Sequence, residues 1–407
     1  MAKAKPSKKQ LEFLDWEIGI FFHFGIRSFD EGENYWKKDL TPLEKFNPTE
    51  LDCEQWIKTI SDAGARYAIL TTKHHDGFAN WPTVYSDYNV ANTPWKNGKG
   101  DVVREFTNAC RKYNVKIGLY YSPAQVGYTE MSDKEYDDYF INQITELLTN
   151  YGKIDYIWFD GCGSEHHTYD KDRIVKCIRT LQPEIMIFSM WDPDTRWVAN
   201  EEGIAPVGIK YEVARQNTSI NLQEEEWLDE PRFLPYECDC KMSKYNWFYS
   251  DTDEPHLRSA QNIMALYDYS VGRGGNLLMN IAPDRRGLLP DTAVKNMKEF
   301  GEMLKTRFSV CKDAEIRYND EGFGIFVKEP TPITTIVVEE DLTDGQAIFG
   351  YQLIYGSGFG TIVYEGKTIG HKQIITIPEI YLDADREMIF KVTETDGNFK
   401  FKSVKIF

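Results

Sequence analysis

The apolar run Tyr156-Ile157-Trp158-Phe159 stops abruptly at Asp160, and the turn residues Gly161-Cys162-Gly163 follow. Such a run reads as a buried strand, and a carboxylate that ends one needs hydrogen-bond partners or a chemical task. On this segment alone two readings stand. Asp160 caps the next turn through neighbouring amides, a common use of Asp, or it presents a reactive oxygen at a strand end. Trp158 and Asp160 are two apart and therefore share a face of the strand.

His74-His75 stand at a similar transition, after Leu70-Thr71-Thr72-Lys73 and before Asp76-Gly77-Phe78. Adjacent side chains in a strand point to opposite faces, so the two imidazoles do not ligate one metal unless the strand has already ended. Together with His23 and Asp160 they could cluster around a metal, but the helical H-E-x-x-H spacing is missing. No metal and no cofactor is expected. An imidazole offers one donor and one acceptor, which suits sugar hydroxyls.

If the chemistry is glycoside cleavage by double displacement, a second carboxyl group must act as acid and then as base. One candidate is Glu201, in the loop-like run Arg196-Trp197-Val198-Ala199-Asn200-Glu201-Glu202-Gly203. The other is Glu237, in Leu234-Pro235-Tyr236-Glu237-Cys238-Asp239-Cys240. A solvated surface carboxylate is the bland alternative for each. Spacing does not choose between them.

The elements that must position these residues alternate in type over the first 310 residues. Strand signals at 18–23, 67–73, 116–122, 155–160, 185–189 and 276–281 are separated by helical patterns at 50–63, 102–113, 133–151, 171–181 and 257–271, with a closing helix at 292–305. Apolar strands alternating with amphipathic helices build a parallel sheet with crossover helices. His23, the pair His74-His75, Tyr120 and Asp160 fall at the C-terminal ends of four different strands, which in a (β/α)8-like TIM barrel converge on one face. No strand pattern is readable within 191–248. From 312 onward, β-branched alternating runs between Gly and Asp turns indicate an antiparallel β-sandwich. The expected organisation is a barrel domain at 1–311 and a C-terminal β-sandwich domain at 312–407, the latter a packing partner and not an independent sugar-binding module.

Composition narrows the partners. Lys and Arg total 47 against 64 Asp and Glu, a formal charge of −17, which repels nucleic acid and anionic lipid surfaces. No apolar stretch approaches the ~18 residues of a membrane span. The ten Trp and 24 Tyr supply flat amphipathic surfaces on which sugar rings pack. The seven cysteines, odd in number and scattered, read mostly as free thiols. A basic N-terminus without a following apolar segment is not a signal peptide; the expected location is periplasmic or extracellular if a leader was trimmed, and cytoplasmic otherwise. Oligomeric state is not legible.

Four segments together are specific: Gly19-Ile20-Phe21-Phe22-His23-Phe24-Gly25, the stretch from Ala63 to Phe78 with its paired histidines, Gly118-Leu119-Tyr120-Tyr121-Ser122, and Trp158-Phe159-Asp160-Gly161. They resemble the α-L-fucosidases of glycoside hydrolase family 29, and the resemblance extends to Gly274-Gly275-Asn276 and to the run opening at Glu340. It implies retaining hydrolysis of terminal α-L-fucose from fucosylated oligosaccharides or glycoconjugates, with Asp160 as nucleophile. It also implies that His23, His74, His75 and Tyr120 hold fucose hydroxyls and that Trp158 walls the pocket. Arg196 to Glu201 is similar to the subfamily that prefers α-1,3/1,4 linkages, which places the acid/base on Glu201. Glu237-Cys238-Asp239 and Trp247-Phe248-Tyr249 also look like that subfamily, as substrate contacts through Glu237 and Trp247. In the other subfamily the acid/base would fall on Glu237. Two departures from the family pattern are Ala199, where a Gly is more usual, and Glu33-Asn34-Tyr35-Trp36, in place of a Glu-Trp pair.

Overall fold

Strands that are buried on both faces set the architecture. The computed structural model describes residues 3–30, 36, 39–218, 220, 225–356 and 360–407. In it β1 (Ile18–Phe22), β2 (Tyr67–Lys73), β3 (Lys116–Tyr121), β4 (Tyr156–Phe159), β5 (Met186–Phe188), β6 (Arg196–Trp197), β9 (Tyr236–Lys241) and β10 (Asn276–Asn280) form one sheet in the order β5-β4-β3-β2-β1-β10-β9-β6. Every neighbouring pair is parallel. The two edges meet at one parallel bridge, Phe188 to Thr195, where the Ser189 N–H donates to the Thr195 carbonyl at 3.1 Å. The sheet is a nearly closed, TIM-like barrel.

Helices α1 (Lys8–Trp16), α2 (Cys53–Asp62), α3 (Val102–Lys112), α4 (Asp133–Asn150), α5 (Lys171–Leu181), α6 (Ala260–Ser270) and α7 (Asp291–Arg307) accompany it. Their starts follow ordinary capping chemistry: Ser7 and Ser132 close capping boxes with Gln10 and Glu135, and Asp52, Asp101 and Asp170 accept from the first turns of α2, α3 and α5. At Gly19 a Cβ would lie 2.1 Å from the Tyr67 ring. Only glycine lets that ring fill the barrel axis.

Between β6 and β9 the chain makes an antiparallel hairpin, β7 (Glu212–Gln216) with β8 (Glu226–Phe233). The strands of the segment that sequence pattern left blank are therefore β6 and β9 of the barrel plus this hairpin.

The antiparallel part begins at β11 (Glu315–Asn319). It continues through β12 (Gly322–Phe326), β13 (Thr331–Glu340), β14 (Ile348–Tyr355), β15 (Thr361–Gly366), β16 (Gln373–Leu382), β17 (Met388–Thr395) and β18 (Phe401–Ile406). Two sheets, β11-β12-β17-β14-β15 and β16-β13-β18, enclose an apolar core of their own. Its joint with the barrel is polar and specific. The buried Tyr211 hydroxyl donates to the Gly274 carbonyl at 2.5 Å and accepts from the His371 N–H at 2.9 Å, and the Ile374 N–H donates to the Gly272 carbonyl at 2.9 Å. Glu340 is buried and accepts from the N–H groups of Ala347, Ile348 and Gly370, which satisfies a carboxylate that would otherwise be costly there. All seven cysteines are free thiols. Among the described residues no helix is long and apolar enough to cross a membrane.

Candidate active site

The C-terminal ends of the barrel strands open onto a cavity of about 240 Å³, just below the range of about 300–1,000 Å³ usual for ligand sites. One wall is a ladder of nearly parallel rings on adjacent strands. Phe188 lies 4.1 Å from Trp158 at 9°, Trp158 lies 5.5 Å from Tyr120 at 20°, and Tyr120 lies 5.4 Å from His74 at 8°. Strand register produces it: Tyr120 is paired with Trp158, and Trp158 with Phe188.

Asp160 follows β4 at the foot of this ladder and serves both roles that the sequence allowed. Its Oδ1 accepts from the Cys162 N–H at 3.0 Å, the turn cap. Its Oδ2 accepts from the Tyr120 hydroxyl at 2.9 Å and lies 3.5 Å from His75 Nε2. The carboxylate is thus oriented from two sides while it lines the cavity.

The histidines are held as neutral rings. Asn280 Nδ2 donates to the Trp247 carbonyl at 2.6 Å, which fixes the amide so that Oδ1 faces His23 and accepts from His23 Nδ1 at 2.8 Å. The Nε2 lone pair of His23 is left as an acceptor. Burial lowers the His23 pKa from 6.5 to about 3, against the raising effects of Asn280 and Asp160. Burial also lowers His74 and His75. The His75 ring is oriented by Ser122 Oγ at 2.6 Å from Nδ1, and Trp36 stacks on it at 4.6 Å and 17°. Residues 33–35 of the run before Trp36 lie outside the described residues. Ligand atoms of His74, His75 and Asp160 come within 4.8 Å of one another, a grouping that could hold a metal ion. The same three groups equally match the hydroxyls of one sugar ring.

Glu201 lies on the loop after β6 and faces the same cavity. Its pKa is raised, first by burial and then by the Asp160 and Glu202 charges, while Lys241 and a hydrogen bond from the Trp247 indole oppose the shift. Trp247 stands 4.9 Å from His23 and closes that side. Ala199, in the Glu201 loop, has φ +61°. This left-handed conformation is unstrained only for glycine, which accounts for the residue more usual at this position.

Glu237 departs from expectation. It was expected to touch substrate, and as an alternative to act as acid/base, yet it does not line the cavity and has no exposed surface. It lies beneath Trp158, accepting from Trp158 Nε1 at 2.7 Å and from the Tyr67 hydroxyl at 2.6 Å, and burial lifts its pKa to about 7. The reason is register: Glu237 pairs with Trp197 on β6 and Asn276 on β10, one step deeper in the barrel than Asp239. Asp239, two residues on and on the same face, is the β9 carboxylate that reaches the cavity. Alternation from Glu237 was the signal that could have found it. Trp197, Phe188, Ser189 and Thr218 also line the cavity. Trp197 belongs to the Glu201 motif; Thr218, next to the barrel hairpin, carried no sequence signal.

Comparisons with known proteins agree with this geometry. Residues 2–307 match the family model described as alpha-L-fucosidase. Alpha-L-fucosidase 1 of Arabidopsis thaliana is 30% identical over an alignment covering 96% of this chain and 85% of that one. A Bacteroides thetaiotaomicron structure described as a putative alpha-L-fucosidase superposes with a TM-score of 0.90 at 28% identity, covering 100% of this chain and 98% of that one. A Ruminococcus gnavus GH29 fucosidase in complex with fucose superposes at 0.85 with 25% identity, covering 100% and 95%. The chain belongs to the α-L-fucosidase family of glycoside hydrolases and is an α-L-fucosidase.

Proposed function

We propose that this α-L-fucosidase retains configuration, with Asp160 as nucleophile and Glu201 as acid/base, and that it removes terminal α-1,3/1,4-linked fucose from branched glycans. The observation that carries the reading is that Asp160, held by Tyr120 and His75, shares one small cavity with Glu201, whose pKa is raised. Glu201 starts protonated and gives its proton to the departing glycosidic oxygen as an Asp160 carboxylate oxygen bonds to the anomeric carbon. Esterification removes the Asp160 charge, one of the causes of the raised Glu201 pKa. Glu201 then takes a proton from water, which attacks the fucosyl-Asp160 ester and frees both fucose and carboxylate. His23, His74, His75 and Tyr120 hold the hydroxyls, and the ladder from Phe188 to Tyr120 receives the apolar face of the sugar. Linkage preference rests on the likeness of the 196–201 run to the α-1,3/1,4-specific subfamily.

The test is chemical rescue combined with product stereochemistry. Glu201→Ala with azide is expected to regain turnover and yield α-fucosyl azide, because azide takes the place of water on the fucosyl-Asp160 ester, and proton NMR of the wild-type reaction is expected to show α-fucose forming first. First-formed β-fucose contradicts retention. Rescue at Glu237→Ala but not at Glu201→Ala transfers the acid role. Release from Lewis-type trisaccharides is expected to exceed release from α-1,2-linked fucose, and the reverse order contradicts the linkage assignment. Activity is expected to fall as pH rises through the Glu201 pKa, because the acid is then lost.

A further inference from the structure

The loop that carries Glu201 is gripped at both ends by one residue. At its start, Trp197 Nε1 donates to Asp239 Oδ1 at 2.6 Å; at its end, the Gly203 N–H donates to the Asp239 carbonyl at 2.9 Å. Glu202 bridges to Cys240 on the same strand. Gly203, at φ +73°, lies so close that a Cβ would come within 2.9 Å of Cys240 Sγ. Within the loop, Asn200 accepts from the Glu202 N–H at 3.1 Å and donates to the Ile204 carbonyl at 3.1 Å. Glu201 is thus the projecting residue of a short arch whose feet both rest on Asp239.

We propose that Asp239 is a positioning residue for leaving-group protonation. Its carboxyl orients the Trp197 wall, its carbonyl anchors the arch, and the proton of Glu201 is delivered in line only while both holds are made. The inference rests on the reading of Glu201 as acid/base. Asp239 is 4% exposed, and burial followed by the Glu201 charge pushes its carboxyl well above the usual carboxylate range. The hold on Trp197 asks only for an acceptor oxygen, which an amide of the same shape also supplies. A displacement of about 1 Å in a reacting group costs up to about 10²-fold, and an acid that is out of line matters most when the leaving group is poor.

The experiment measures kcat/KM for Asp239→Ala, Asp239→Asn, Trp197→Phe and Glu201→Ala on two substrates, a dinitrophenyl fucoside that needs little acid and a Lewis-type trisaccharide that needs much. Asp239→Ala is expected to lose about 30-fold or more on the trisaccharide and under about 3-fold on the aryl fucoside. Asp239→Asn, which keeps the acceptor oxygen, is expected to stay within about 3-fold of wild type on both. Trp197→Phe is expected to reproduce the trisaccharide-selective loss, and it decides the question should Asp239→Ala not fold. Equal losses on both substrates, no loss on either, or an Asn variant as poor as Ala overturns the proposal. If Glu201→Ala shows the selective loss and Asp239→Ala does not, the proposal alone fails. If Glu201→Ala lacks it, the acid/base reading fails and the proposal with it.

Discussion

The two ends of the barrel are both built from packed aromatic rings and put them to opposite use. At the N-terminal end, α1 lays Phe13 and Trp16 against Tyr67 and Tyr156, with ring centroids 5.4–5.8 Å apart for Phe13 and its neighbours. Polar atoms there find protein partners: Tyr67 donates to Glu237, the Tyr156 hydroxyl meets Thr195 Oγ1 at 2.7 Å, and Asn276 Nδ2 donates to the Phe13 carbonyl at 2.8 Å. This end is a plug. At the mouth, Trp158, Tyr120 and His74 stack as regularly, but their edges border a cavity, and Asp160 and Glu201 face into it. Backbone strain also gathers there, with Ser189, Trp191 and Ala199 at positive φ in the stretch leading to Glu201. The difference teaches that ring packing sets the barrel, whereas function depends on carboxylates at its open end. Glu237, beneath Trp158 and bonded to Tyr67, joins the two ends.

The contrast breaks most sharply at Asp160. Asp160→Asn is expected to lower kcat by about three orders of magnitude or more while fucose binding, followed by calorimetry, persists and the melting temperature hardly moves; full turnover by this variant would refute the role. At the plug the pattern should invert. Phe13→Ala removes a fully buried ring and is expected to cost about 3–5 kcal/mol, read as a lower denaturation midpoint, with KM unchanged for the enzyme that remains folded. A raised KM would mean that the plug shapes the mouth.

Glu237 tests the joint between them. Its folded pKa is raised by burial from 4.5 to about 7. The folded state keeps a proton that the unfolded chain gives up between those values, so this contribution is complete below pH 4.5 and is lost as pH rises through 7. His23 has the opposite sign: with its pKa lowered from 6.5 to about 3, its contribution is present above pH 6.5 and is lost as pH falls through 3. Glu237→Gln is therefore expected to reduce the drop in melting temperature between pH 5 and pH 8, by an amount corresponding to about 3 kcal/mol at most. An unchanged drop would show that the group does not titrate as argued. The smallest effect belongs to Ala199→Gly, which relieves the φ of +61° and is expected to alter stability by no more than about 1 kcal/mol.

The sequence made the barrel legible wherever strands are apolar throughout, as in Tyr67–Lys73 and Tyr156–Phe159. It hid β9, because Glu237 and Asp239 point inward and break the apolar signature, and it hid β6, which is two residues long. Helix α1 escaped because it is nine residues long and opens on Lys8-Lys9, which leaves few apolar positions to reveal a helical period. For the site, strand-end position exposed His23, His74, His75 and Asp160. Glu201 and Glu237 were indistinguishable by spacing, since each sits near an aromatic residue, and what separates them is burial created by distant strands. Asp239 was within reach through side-chain alternation alone.

The central claim is that an Asp160 oxygen forms a bond to the sugar. A 2-deoxy-2-fluoro-fucosyl fluoride slows the second step and should leave one fluorofucosyl group per chain, with peptide mass mapping placing it on Asp160. Label on another side chain, or sustained turnover with no label on any, would contradict the account.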